Sequence, residues 1–151
     1  MNKQLFWNRL YECNNFQSFL NRHVKHTQPE KFNSSKFQIN SNIPNLKYMV
    51  RLQSNSFTVE ILLDHWNPKT ENESKLRTLQ DFQTEIENRC GELEWVNISE
   101  KINCKIIKRI NCSNLNNEGR WPQIFDEIVC EIENLEESVN NHRDLLLEIN
   151  S

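Results

Sequence analysis

A divalent-metal nuclease needs two carboxylates to hold the ion and a lysine to steady the attacking hydroxide, with an acid on one strand and an acid-x-Lys pair after it. Asp64 with Glu73-Ser74-Lys75 comes nearest to that pattern. The same residues also have an ordinary reading. Thr70 and Glu73 make a capping-box pattern, where an acid is favoured by the helix start, and Glu60 and Asp64 are spaced to face Lys47 and Arg51 across a hairpin. His23 and His26, three apart, would share a helix face as a metal pair requires, but no third ligand lies near them and exposed loop positions are expected. His65 reads as a hydrogen-bonded core histidine. No catalytic or metal-binding residue is assigned.

Other chemistries lack essential parts. Loops that cradle phosphate in nucleotide-cofactor enzymes need clustered glycines, and the chain has only Gly91 and Gly119. No Gly-x-Ser-x-Gly elbow occurs. Cys13, Cys90, Cys104, Cys112 and Cys130 include no Cys-x-x-Cys pair, which argues against a zinc knuckle or a disulfide framework and for small buried apolar residues. A protein without cofactor, and not an enzyme, is expected.

Binding chemistry has more support. Lys105, Lys108, Arg109 and Arg120, with Trp121 beside them, form the strongest basic concentration. A basic hairpin can lie along a phosphate backbone, and Trp95 or Trp121 would offer a stacking surface. Lys and Arg on a strand also guard an exposed sheet edge against aggregation. A formal charge of -3 limits any phosphate contact to a local patch.

Periodicity supplies the elements that must position these residues. Phe6, Leu10, Cys13, Phe16, Phe19 and Leu20 recur at helical spacing, so 1–20 reads as an N-terminal helix, whereas 21–35 is polar, holds Pro29 and reads as a loop. Strands are expected at Lys36–Asn40, Leu46–Gln53 and Phe57–Trp66, the last two joined by the turn residues Ser54-Asn55-Ser56. Leu76, Leu79, Phe82, Ile86 and Cys90 mark one face of a helix that opens near Thr70 and stops at Gly91. A second hairpin, Leu93–Ile98 with Cys104–Cys112, sets Lys105, Ile107 and Arg109 on one side and Ile106, Lys108 and Ile110 on the other; 113–120 is a polar loop. Trp121-Pro122 opens a final helix running to about Glu148.

The heptad-like series Ile128, Ile132, Leu135, Val139, His142, Leu146, Ile149 on that helix has two readings. Either the helix lies on the sheet, or Leu135, Val139, His142, Leu146 and Ile149 form a seam for a homodimer or a partner helix. The order of elements gives an α+β fold over 1–151: a ββαββα core at 36–149 whose mostly antiparallel sheet is covered on one face by helices. The opening MNKQLFWNRLYECNN lacks the apolar run of a secretory signal, and no stretch nears the ~18 apolar residues of a membrane span, so a cytoplasmic protein is expected.

Phe6-Trp7, Val59-Glu60-Ile61-Leu62-Leu63, the run Leu79-x-x-Phe82-Gln83-Thr84-Glu85-Ile86-Glu87 ending at Gly91, Leu93-Glu94-Trp95 and Trp121-Pro122-x-Ile124 follow one another in a telling order. In this the chain resembles, over most of its length, the prokaryotic family known as domain of unknown function 4268. Members look like the C-terminal part of longer proteins whose upstream region resembles restriction-type nucleases, and the resemblance implies DNA transactions or phage defence in bacteria. A domain standing alone, without an upstream nuclease-like segment, is expected here, and the resemblance transfers no functional residue. The expectation is a non-catalytic binding or accessory module that contacts nucleic acid or a nuclease-like protein. The alternatives are a small regulatory or immunity-type inhibitor acting through protein–protein contact, and a metal-dependent nuclease.

Overall fold

The structure, a computed structural model, describes residues 1–23, 25–26, 35–66 and 69–149. Its strands are β1 (Lys25–His26), β2 (Lys36–Asn40), β3 (Leu46–Leu52), β4 (Ser56–Leu63), β5 (Glu94–Asn97) and β6 (Cys104–Asn111). They form one antiparallel sheet in the order β1-β2-β3-β4-β6-β5. The helices are α1 (Lys3–Glu12), α2 (Asn14–Leu20), α3 (Lys69–Gln80), α4 (Gln83–Cys90), α5 (Trp121–Asn140) and α6 (Arg143–Glu148). The expected α+β architecture holds, with both hairpins, an N-terminal helix and a long C-terminal helix.

Strand alternation divides the sheet into two faces. Phe37, Ile39, Tyr48, Val50, Val59, Ile61 and Ile106 lie on one face, in register with one another, and share a single core with the apolar stripes of the helices. Phe6 anchors that core, edge-on to Trp7, Trp121 and Phe125 with ring centroids 5.4, 5.2 and 5.1 Å away. Among the described residues no helix is long and apolar enough to cross a membrane.

Three expected helices are each broken in two, and no proline or glycine marks the breaks. Cys13 is extended (φ -66°, ψ 127°) between α1 and α2. Phe82 (φ -108°, ψ 22°) separates α3 from α4, and His142 (φ -121°, ψ 19°) separates α5 from α6, so the last helix stops well short of Glu148. Burial overrides local propensity here: each bend returns the second segment to the core, delivering Phe16, Phe19, Ile86 and Leu146 to buried positions. The rings of Phe82 and His142 stack at 3.8 Å, so two of the bends lock together. A further correction concerns the expected loop over 21–35, because Lys25–His26 pairs with β2.

Gly91 ends α4 at φ 79°, ψ -174°, a region reserved for glycine, and an added Cβ would stand 2.5 Å from Lys108 Nζ. Gly91→Ala is expected to lower stability by about 1–3 kcal/mol, read from the urea midpoint at unchanged slope.

Candidate nucleic-acid interface

All of β4 is buried, although among the described residues only one of its faces shares a core with helices. Ser56, Thr58, Glu60 and Leu62 point to the other face, and none of them belongs to the core that the helices share. Their register neighbours on that open face are Gln38 and Lys36 from β2, Lys47, Met49 and Arg51 from β3, and Lys105, Ile107 and Arg109 from β6. Glu94 and Val96 of β5 complete it. The face therefore carries five cations (Lys36, Lys47, Arg51, Lys105, Arg109) against three carboxylates (Glu60, Glu94 and, just past β4, Asp64), on a chain whose formal charge is -3.

Glu60 is the hub. It is 1% exposed, and its Oε2 accepts from Thr58 Oγ1 and, at 3.2 Å, from Arg51 Nε. Its Oε1 has no hydrogen bond, and Lys105 Nζ stands 4.0 Å away. One carboxylate thus engages two cations, and the Arg51 guanidinium also reaches Met49 Sδ at 3.8 Å through Nη2. Burial pushes the pKa of Lys105 down; Glu60 counters this, while Arg51, Lys101 and Lys36 add to the depression. Burial is the largest of these effects, and the like charges add a smaller part. The flanks are ordered too: Lys47 Nζ meets Asp64 at 2.8 Å, and Arg109 reaches Glu94 at 3.1 Å and Gln53 at 3.0 Å.

The residues singled out from the sequence separate in space. Lys105 and Arg109 share the open face. Lys108 points to the helix side, close to Gly91. Arg120 is exposed just before α5, bonded to Gln123. Trp121 is 1% exposed, donates from Nε1 to Leu115 O at 2.8 Å and lies under Arg9, so it cannot stack on a ligand. Trp95 also belongs to the helix side, half-buried against Glu87. Since β6 lies between β4 and β5, its cations are not edge guards.

The expected association seam is corrected as well. Leu135, Val139 and Leu146 are fully buried in the chain's own core, His142 is buried and Ile149 half-buried, because the sheet occupies the face a partner helix would need. Of the nuclease-like trio, Asp64 lies near enough to act on the charge of Lys75, but Glu73 is engaged elsewhere. Asp64 faces Lys47, Glu73 accepts from Asn97, and Lys75 is buried with Nζ donating to Pro44 O at 2.8 Å. Among the described residues no three His, Cys, Asp or Glu side chains gather as a metal site. His65 is not on the apolar face of a strand, because β4 ends at Leu63; it lies just beyond, half-buried, and meets Glu71 at 3.2 Å.

His23 is not an exposed loop residue: its side chain is 4% exposed and its Nε2 lies 2.9 Å from Glu136. The side chain of His26 lies outside the described residues. Glu136 also accepts from Arg22 at 2.9 and 3.2 Å, beside a cavity of about 470 Å3 that Tyr48 and Arg143 help to line. Burial pushes the Glu136 carboxyl upward, but the bonds from His23 and Arg22 outweigh it and hold the pKa below the usual range. A depressed carboxylate contributes stability above the unfolded-state pKa and loses it as pH falls through the folded value. Glu136→Gln should therefore cost about 1–3 kcal/mol at pH 7, with the gap to wild type closing below about pH 4 in urea titrations run across pH.

Comparison with curated proteins finds no match, and comparison with solved structures finds none either. A family model does match, described as a domain of unknown function (DUF4268), and it spans residues 2–143, from the start of α1 to the start of α6. That span takes in every strand of the sheet and therefore the whole open face, and the chain belongs to the DUF4268 family.

Proposed function

We propose that the chain is a non-catalytic module that lays a nucleic-acid backbone across the open face of its sheet. The observation that carries this reading is the cation excess of that face on a chain whose overall charge is negative. Phosphate contacts are the dominant, sequence-independent term in nucleic-acid affinity, and half-buried Lys and Arg stems fixed on a sheet supply them at little entropic cost. Edge protection, the competing use of basic strand residues, does not apply to the interior strand β6. Such a module suits an accessory role in bacterial defence or related DNA transactions, where a nuclease-like partner would do the cutting.

The test compares two matched pairs of neutralised charges. Lys105→Gln with Arg109→Gln should weaken binding to a short oligonucleotide at least tenfold and reduce the slope of log affinity against log salt by roughly 1.5. Lys108→Gln with Arg120→Gln, which removes the same charge elsewhere, should leave the slope unchanged. Equal losses for both pairs, or no binding by the wild-type chain at low salt, would sink the reading.

A further inference from the structure

Beyond β4 the open face gives way to a cleft of about 420 Å3 lined by Asp64, Trp66, Glu100, Lys101, Ile102 and Asn103. Two of its walls are apolar yet bare, with Trp66 75% exposed and Ile102 52% exposed. An indole so exposed contributes nothing to the core, but it is not left adrift. The buried Asn72 of α3 accepts from the backbone N–H of His65 at 2.8 Å. Its amide donates to His65 O at 2.8 Å and to Ile102 O at 3.0 Å. One buried side chain thereby fixes the backbone behind both walls. Lys69 adds a second tie, donating to the carbonyls of Ile98 and Lys101 that bracket the far wall.

The charge around the cleft says what fits between those walls. Lys101 lines it and acts on Lys105, which links the cleft to the open face, while Asp64, paired with Lys47, and Glu100 bring two carboxylates to it. A flat aromatic wall beside cations is the arrangement that binds unpaired strands, where the cations meet phosphates and each base offers a π-face. Glu100 and Asn103 also line the space, and their side-chain oxygens are acceptors of the kind that amino groups on base edges require. In a duplex the bases are stacked inside and cannot reach an indole.

Building on the nucleic-acid reading above, we infer that this cleft takes a nucleobase of a single strand, stacked on Trp66 with its phosphates on Lys101 and Lys105. The test is fluorescence anisotropy of a labelled single-stranded oligodeoxynucleotide, and of its duplex, titrated with the full chain as wild type, Trp66→Ala and Trp66→Phe. Trp66→Ala should weaken single-strand binding by roughly tenfold to a hundredfold, with the salt slope and the duplex affinity unchanged, and Trp66→Phe should retain most of the affinity. Because Trp66 is exposed, both variants should keep the wild-type circular dichroism. Equal single-strand affinity for Trp66→Ala and wild type overturns the cleft; if the Lys105 and Arg109 neutralisations still weaken binding, the open-face reading survives that failure. A wild-type chain that binds neither form at low salt overturns both.

Discussion

Arg51→Met is expected to lower the stability of the folded chain by about 3 kcal/mol, far more than a half-exposed arginine would ordinarily cost. The reason lies in what it leaves behind. Glu60 is 1% exposed and keeps only Thr58 and a lysine at 4.0 Å, so a buried carboxylate loses its one direct countercharge. The cost is therefore reversible by a second change. Arg51→Met combined with Glu60→Gln removes the charge while keeping an acceptor for Thr58, and the double variant should regain at least about 1 kcal/mol over the single one. Urea titrations of both variants check this. If the double variant is no more stable than Arg51→Met, Glu60 is not the stranded charge and the hub described above is wrong.

Trp121→Ala should be costlier still, about 3–5 kcal/mol, with a fall in Tm of roughly 10 °C. The indole packs edge-on against Phe6 and donates to Leu115 O at 2.8 Å, which pins the loop before α5 to the core. Truncation opens a cavity and leaves that carbonyl without its donor at the same time. Trp121→Phe separates the two effects, because it refills much of the space without restoring the bond. Differential scanning calorimetry of the three proteins measures both contributions, and a Trp121→Ala variant within 1 kcal/mol of wild type would contradict the burial seen here.

The architecture was legible in the sequence because strand alternation and helical spacing are local patterns. Phe57, Val59 and Ile61 announce a half-buried strand, and Gly91 announces a helix stop, before anything is known of the neighbours. The bends at Cys13, Phe82 and His142 were not legible, since they answer to the curvature of a surface built from distant segments. The binding face was half legible. The cross-hairpin pairs of Lys47 with Asp64 and Arg51 with Glu60 follow from hairpin register, and they form as expected. What misled was clustering along the chain: Lys108 and Arg109 are adjacent in sequence and on opposite sides of the sheet, while Lys105 and Arg51 are far apart in sequence and share one carboxylate. Tracking strand parity across β3, β4 and β6 together, rather than one hairpin at a time, was the signal that would have assembled the patch. Trp66 was hidden inside the expected strand Phe57–Trp66, whereas β4 ends at Leu63 and leaves the indole exposed.

The broken helices carry a consequence for how the molecule comes apart. α1, α2, α4 and α6 have ten, seven, eight and six residues, and isolated helices shorter than about 12–15 residues are marginal in water. None of them can outlive the strands it rests on. Among the described helices the twenty-residue α5 is the one clearly longer than that limit, with the twelve-residue α3 at its edge, so α5 is the helix expected to persist as fluctuating structure in the denatured chain.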